Sequence, residues 1–120
     1  QLLVMDAREN SGRLSAQVRA MLGHDFRQGV PAFDTISQAL SLSPPTLRRK
    51  LRREGTTFQA LKDAARCEAA RLALDRQDWS IETVALQLGF TDPSAFHRAF
   101  RKWTGQTPGQ YRNARRRRGQ

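Results

Sequence analysis

Residues 80–112, SIETVALQLGFTDPSAFHRAFRKWTGQTPGQYR, decide how the rest of this 120-residue chain is read. Ser80 is a good N-cap, Glu82 puts a carboxylate in the first turn, and Ile81, Val84, Ala85 and Leu88 recur at helical spacing. Gly89 can take positive φ and end that helix, while Asp92-Pro93 signals a new start: a capping carboxylate followed by proline at the first helical position. Along the second helix Phe96, Phe100 and Trp103 share one stripe, and Ser94, His97, Arg98 and Arg101 share another. Two helices on a tight turn, the second presenting donors outward, is the helix-turn-helix plan, whose second helix enters the DNA major groove. An ordinary helical hairpin with a solvated basic face competes with it.

The run LGFTDPSAFHRAFRKWTGQTPGQYR resembles the C-terminal signature of AraC/XylS-type bacterial transcription regulators: a Gly-Phe turn, a Phe-x-Arg-x-Phe helix, then Gly-x-x-Pro-x-x-Tyr-Arg. Several fixed spacings match at once, which is more specific than a lone helix-turn-helix pattern. The resemblance extends from about Arg13 to Arg112, leaving residues 1–10 and the arginine tail outside it.

Upstream, Leu14, Val18, Met21 and Leu22 mark a first amphipathic helix between Gly12 and Gly23. A second runs from about Ala32 to Leu40 with Phe33, Ile36, Ala39 and Leu40 inward; Ala32 is a poor cap. Ser43 caps a third, opened by Pro44, with Leu47 and Leu51 on its buried side and Pro45, Arg48, Arg49 and Arg52 on the other. An internal repeat then shows itself. Asp34-Thr35-Ile36 and Leu40 match Glu82-Thr83-Val84 and Leu88 at an offset of 48, Leu47 and Leu51 match Phe96 and Phe100 at 49, and Gly55 and Thr57 match Gly105 and Thr107 at 50. The same supersecondary unit is used twice, and the outward faces superpose, 45, 48, 49 and 52 on 94, 97, 98 and 101. In this alignment Ser41 occupies the turn position of Gly89, and serine tolerates positive φ less well, so the first unit should be the weaker.

Residues 57–76 contain neither glycine nor proline and read as one helix capped by Thr57, with Phe58, Leu61, Ala65, Ala69 and Leu72 on one apolar strip and Ala70, Ala73 and Leu74 on another. At about 1.5 Å per residue it spans about 30 Å. That is close to the ~34 Å between half-sites read from one face of a duplex. The helix is a candidate ruler, and the resemblance implies the same role.

Formal charge is +10, which points to a polyanionic partner, nucleic acid before membrane. Residues 44–53 hold five basic side chains and no acid, residues 98–118 hold eight and no acid, and the linker helix is nearly balanced with four basic and three acidic. No apolar run approaches the ~18 residues of a membrane span, and QLLVMDAREN does not read as a signal peptide. The single Cys67 allows no intrachain disulfide and fits a reduced, cytosolic setting, to which the resemblance adds the bacterial nucleoid; His24 and His97 have no cysteine pair at zinc spacing. No Ser/His/Asp or Cys/His set and no phosphate-cradling glycine loop is recognisable, so neither enzyme activity nor a metal or cofactor is expected. The regulator-like module of DNA-repair methyltransferases would need cysteines that this chain lacks.

The sequence therefore predicts an all-α domain of about seven helices: 1–12 a tail from a preceding domain, 13–56 the first helix-turn-helix unit, 57–76 the linker helix, 77–114 the second unit and 115–120 a basic tail. Arginine can form two hydrogen bonds to guanine, which makes Arg48, Arg49 and Arg98 base-reading candidates. The resemblance implies, position by position, Pro45, Arg48 and Arg49, then Pro93, Ser94, His97 and Arg98; Pro45 and Pro93 lack a donor and depart from the family's polar choice. Arg52, Arg101, Lys102 and Arg112 are expected at phosphates, Arg66 in a structural pairing with Glu68 or a neighbouring carboxylate, and Arg115–Arg118 in a disordered tail adding non-specific affinity. The expected function is sequence-specific binding of promoter DNA across two adjacent major grooves. The resemblance also implies an effector-sensing or dimerising domain before Gln1 and RNA polymerase as a further partner. A protein that coats nucleic acid through charge alone is the alternative.

Overall fold

The computed structural model describes residues 12–119. Among them are seven helices and no strand: α1 (Arg13–Leu22), α2 (Phe33–Ala39), α3 (Pro44–Arg53), α4 (Phe58–Leu74), α5 (Ile81–Gln87), α6 (Pro93–Thr104) and α7 (Pro108–Gly119). The expected N-terminal tail lies, apart from Gly12, outside the described residues. The chain forms two compact units, one of residues up to Gly23 with Pro31–Lys62, the other of His24–Val30 with Asp63 onward. Segment 24–30, read from sequence as part of the first unit, thus belongs with the second.

In the first unit Val18, Ile36, Leu47 and Leu51 form the core, with Phe33, Leu40, Phe58 and Leu61 packed against it. Ala39, expected inward, is exposed, and Ser37 is buried in its place with its hydroxyl donating to the Asp34 carbonyl. One device has no sequence signature. The Glu54 carboxylate, at the end of α3, accepts from the first-turn amides of Leu14 (3.3 Å) and Ser15 (2.8 Å) of α1. It satisfies donors that no intrahelical carbonyl can reach and places negative charge at the positive end of α1, which has no acid of its own in its first turn.

The second unit buries Phe26, Leu74, Val84, Ala85, Leu88, Phe96 and Phe100. The Phe100 ring lies 5.8 Å from Phe96, 6.5 Å from Trp103 and 5.5 Å from Tyr111 of α7. Burying each such phenyl ring contributes about 2–3 kcal/mol. Leu72, expected on the apolar strip of α4, is instead 63% exposed, whereas Ala70, Ala73 and Leu74 are buried. The helix turns these three inward and carries Leu72 to the opposite side.

The repeat is visible in the hydrogen bonds of the turns. Leu42 N–H donates to Ser37 O and Ser41 N–H to Gln38 O; 48 residues on, Phe90 donates to Ala85 O and Gly89 to Leu86 O. Both turns demand positive φ at their pivot, and Ser41 (φ 57°) is the one described non-glycine residue that adopts it. The second pivot carries a further constraint: a Cβ on Gly89 would collide with the Phe26 carbonyl oxygen and approach Gly29 N to 3.3 Å. Segment 24–30 therefore passes so close to this turn that only glycine fits.

Candidate nucleic-acid interface

Capping fixes where each outward-facing helix begins. Ser43 Oγ accepts from Thr46 N–H at 3.3 Å and Asp92 Oδ1 from Ser94 N–H at 3.0 Å, each followed by proline at the first helical position. Such a cap is worth about 1 kcal/mol and sets the rotational phase of everything downstream. With Leu47 and Leu51 buried in α3, the successive 100° steps put Pro45, Arg48, Arg49 and Arg52 in solvent. With Phe96 and Phe100 buried in α6, the same rotation exposes Pro93, Ser94, His97, Arg98, Arg101 and Lys102. Each unit thus carries a helix whose outward face is rich in cationic and hydrogen-bonding groups, with no acid in the first turn of either.

Not all of these side chains are equally free. The Arg48 guanidinium lies 5.4 Å from the centroid of Phe33, whose ring is 5.0 Å from that of Phe58. This contact restrains the arginine before any ligand arrives and lowers the entropy it must lose on binding. Arg112 departs from the expected phosphate contact. It is only 9% exposed, and its Nε donates to Leu74 O at 2.9 Å and Nη2 to Arg76 O at 3.1 Å, so it caps the C-terminal carbonyls of α4. The fork of a guanidinium satisfies the last carbonyl of α4, at Leu74, and ties down the carbonyl of Arg76 just beyond the helix, and the side chain is withdrawn from the surface.

Arg66 holds a structural place, with an aromatic contact that the sequence reading did not include. Its guanidinium stacks 4.2 Å from the centroid of Phe90 and 5.7 Å from that of Trp103, with its Nε buried and lacking a hydrogen-bond partner. Burial pulls its pKa down, and the charge of Asp63 opposes that shift. The stack braces Phe90, the residue after the Gly89 pivot, against Trp103 at the end of α6. Burial pushes the Cys67 thiol up, leaving little thiolate for chemistry. Among the described residues no group of three or more His, Cys, Asp or Glu side chains could hold a metal, and no helix is long and apolar enough to cross a membrane.

The sequence also missed the order of α7. It continues through Arg115–Arg118 to Gly119, where a disordered tail was expected, and Arg115 reaches Asp75 with both contacts at 3.3 Å. Four like charges in a row were read as precluding structure, but Tyr111 and Arg112 fasten the helix one turn earlier.

A family model described as a helix-turn-helix domain matches residues 36–114. The ornithine utilization regulator of Pseudomonas aeruginosa is 38% identical over 115 residues, covering 94% of this chain and 32% of that protein. The crystal structure of a DNA-binding transcriptional dual regulator from Escherichia coli K-12 superposes with a TM-score of 0.76 at 27% identity, covering 84% of this chain and 90% of that one. The DNA-binding domain of AdpA, a global transcriptional factor crystallised with a target DNA, gives a TM-score of 0.69 at 28% identity over 90% of this chain and 94% of that one. The chain spans about a third of the length of the curated relatives it matches.

Proposed function

Since the chain belongs to the AraC/XylS-type helix-turn-helix family of transcription regulators, whose members are DNA-binding proteins rather than enzymes, we propose that it recognises a specific promoter sequence by setting α3 and α6 into two adjacent major grooves. The observation that carries this reading is the repeated outward face: two helices, started by equivalent caps, expose equivalent positions in solvent. Charge alone would not require that phase. Arg48, Arg49 and Arg98 serve as the bidentate readers of guanine, with Ser94 and His97 offering shorter polar contacts. Pro45 and Pro93 have no donor and contribute apolar contact with a thymine methyl or a sugar edge. Arg52, Arg101 and Lys102 hold the register on phosphates.

The continuous helix α4 supports a fixed linkage between the two reading heads. Its 17 residues run unbroken across the boundary between the two units and give about 25 Å of axis, less than the ~34 Å of one duplex turn. Because the relatives are about three times as long, an effector-sensing or dimerising domain and contact with RNA polymerase belong to this proposal as properties of the whole protein. Selection of bound duplexes from a random pool tests it. Recovery of two short motifs with centres about 10 base pairs apart supports it, and recovery of unbiased sequence would leave only the charge-driven coating of nucleic acid.

A further inference from the structure

The last turn of α7 and the chain leaving α4 enclose a cleft of about 890 Å³, with Leu74, Asp75 and Gln77 on one side and Arg115, Arg116 and Arg118 on the other. Its one carboxylate, Asp75, is already matched by Arg115, so Arg116 and Arg118 leave the cleft with excess positive charge. The packing of the second unit decides which anion it can serve. Tyr111 of α7 meets Phe100 edge-on, so α7 covers the inward stripe of α6. Arg98, two residues before Phe100, lies about 200° around the helix from it. The outward face of α6 that would hold a duplex is therefore not the face that α7 covers, and none of the residues lining the cleft comes from α6.

We infer that the cleft is a docking site for an acidic segment of a partner polypeptide, distinct from the DNA-reading surface. Two features favour a polypeptide over phosphate. The cleft already accommodates a carboxylate, since Arg115 Nε and Nη2 face the two oxygens of Asp75 in side-by-side geometry. Beside it the exposed Gln77 offers an amide that can both donate to and accept from a peptide backbone, whereas an ionised phosphate chain presents acceptors only. An acidic side chain placed there would exchange with, or add to, the Asp75 pair. The inference rests on the DNA reading of α6 only in assigning the outward face of that helix to the duplex.

The test measures binding of the intact chain to three probes at about 150 mM salt, where unrelated surface charge is screened beyond ~8 Å. The probes are a glutamate-rich synthetic peptide, inorganic polyphosphate of equal charge, and the duplex recovered by selection. The double variant Arg116→Gln/Arg118→Gln should lose about tenfold in peptide affinity, as expected for two partly exposed ion pairs, while affinity for the duplex and its footprint stay unchanged. Arg117→Gln, on the same helix but outside the cleft, should leave peptide binding alone. A fall in duplex affinity in the double variant matching the peptide loss would overturn the inference and assign the arginines to DNA. Polyphosphate binding as tightly as the peptide, or equal losses from Arg117→Gln, would also overturn it, showing generic charge. If the duplex fails to show specificity while the peptide result holds, it is the DNA reading that falls.

Discussion

Replacing Gly89 by alanine should destabilise the second unit well beyond the same change at Gly105, although the two glycines have nearly the same backbone conformation, φ +85° and +80°. An alanine forced to positive φ costs roughly 1–2 kcal/mol, offset by about 0.4–1 kcal/mol from a less flexible unfolded chain. That net loss, about 1 kcal/mol, is all that Gly105→Ala should show, because a Cβ there meets nothing within 4 Å. At Gly89 the new methyl would strike the Phe26 carbonyl and crowd Gly29, so segment 24–30 must move or the turn must open. Overpacking of this kind adds about 1–3 kcal/mol, for a total of about 2–4 kcal/mol. For a chain of this size each kcal/mol is worth about 4 °C in Tm, which puts Gly89→Ala roughly 8–16 °C below the parent and Gly105→Ala about 4 °C below it. Thermal and urea unfolding followed by circular dichroism measure both. Equal losses at the two positions would refute the close approach of segment 24–30 to the α5–α6 turn.

Phe100→Ala removes a fully buried ring from the aromatic cluster and should cost about 3–5 kcal/mol, enough to abolish the cooperative transition of the second unit; an intact transition would mean the wrong face of α6 has been placed inward. Arg98→Ala should lower affinity for the selected site by about 1–3 kcal/mol and barely affect random DNA, whereas Lys102→Ala should weaken both alike and reduce the salt slope by about one. Equal losses from Arg98→Ala on both DNAs would place it on phosphate. Cys67, buried and with its thiol pushed up, should react with a disulfide reagent at pH 8 far more slowly than free cysteine, and urea should remove that protection; rapid labelling of the folded chain would contradict the packing of α4.

What was legible in the sequence follows local rules. Ser43, Ser80 and Asp92 act on amides two or three residues away, and the helical spacing of Leu47, Leu51, Phe96 and Phe100 shows which side is buried. The positive φ of Ser41 was readable because the repeat sets it against Gly89. What escaped depends on residues distant in the chain. Glu54 acts across about forty residues on α1, and Arg112 reaches back as far to the end of α4. Leu72 shows the limit of periodicity: in an alanine-rich helix several strips have similar apolar content, and only packing reveals which of them is covered. Among the candidate DNA-contacting residues, phase selected 45, 48, 49 and 52 and then 94, 97, 98 and 101, whereas Pro93 came from the family resemblance alone; Arg112 is bound elsewhere, which was not legible because an arginine in a basic stretch looks the same whether it serves phosphate or carbonyl.

The central claim, two reading heads held in register by α4, is tested most directly by repeating the random-pool selection with two alanines inserted between Lys62 and Asp63, where the first unit gives way to the second along the chain. Alanine keeps the helix intact, and the insertion turns one head by about 200° relative to the other, at 3.6 residues per turn. With folding verified by an undiminished helical signal and cooperative melting, the account predicts recovery of a single-groove motif at reduced affinity in place of the bipartite one. Recovery of the original bipartite motif at unchanged affinity would contradict it.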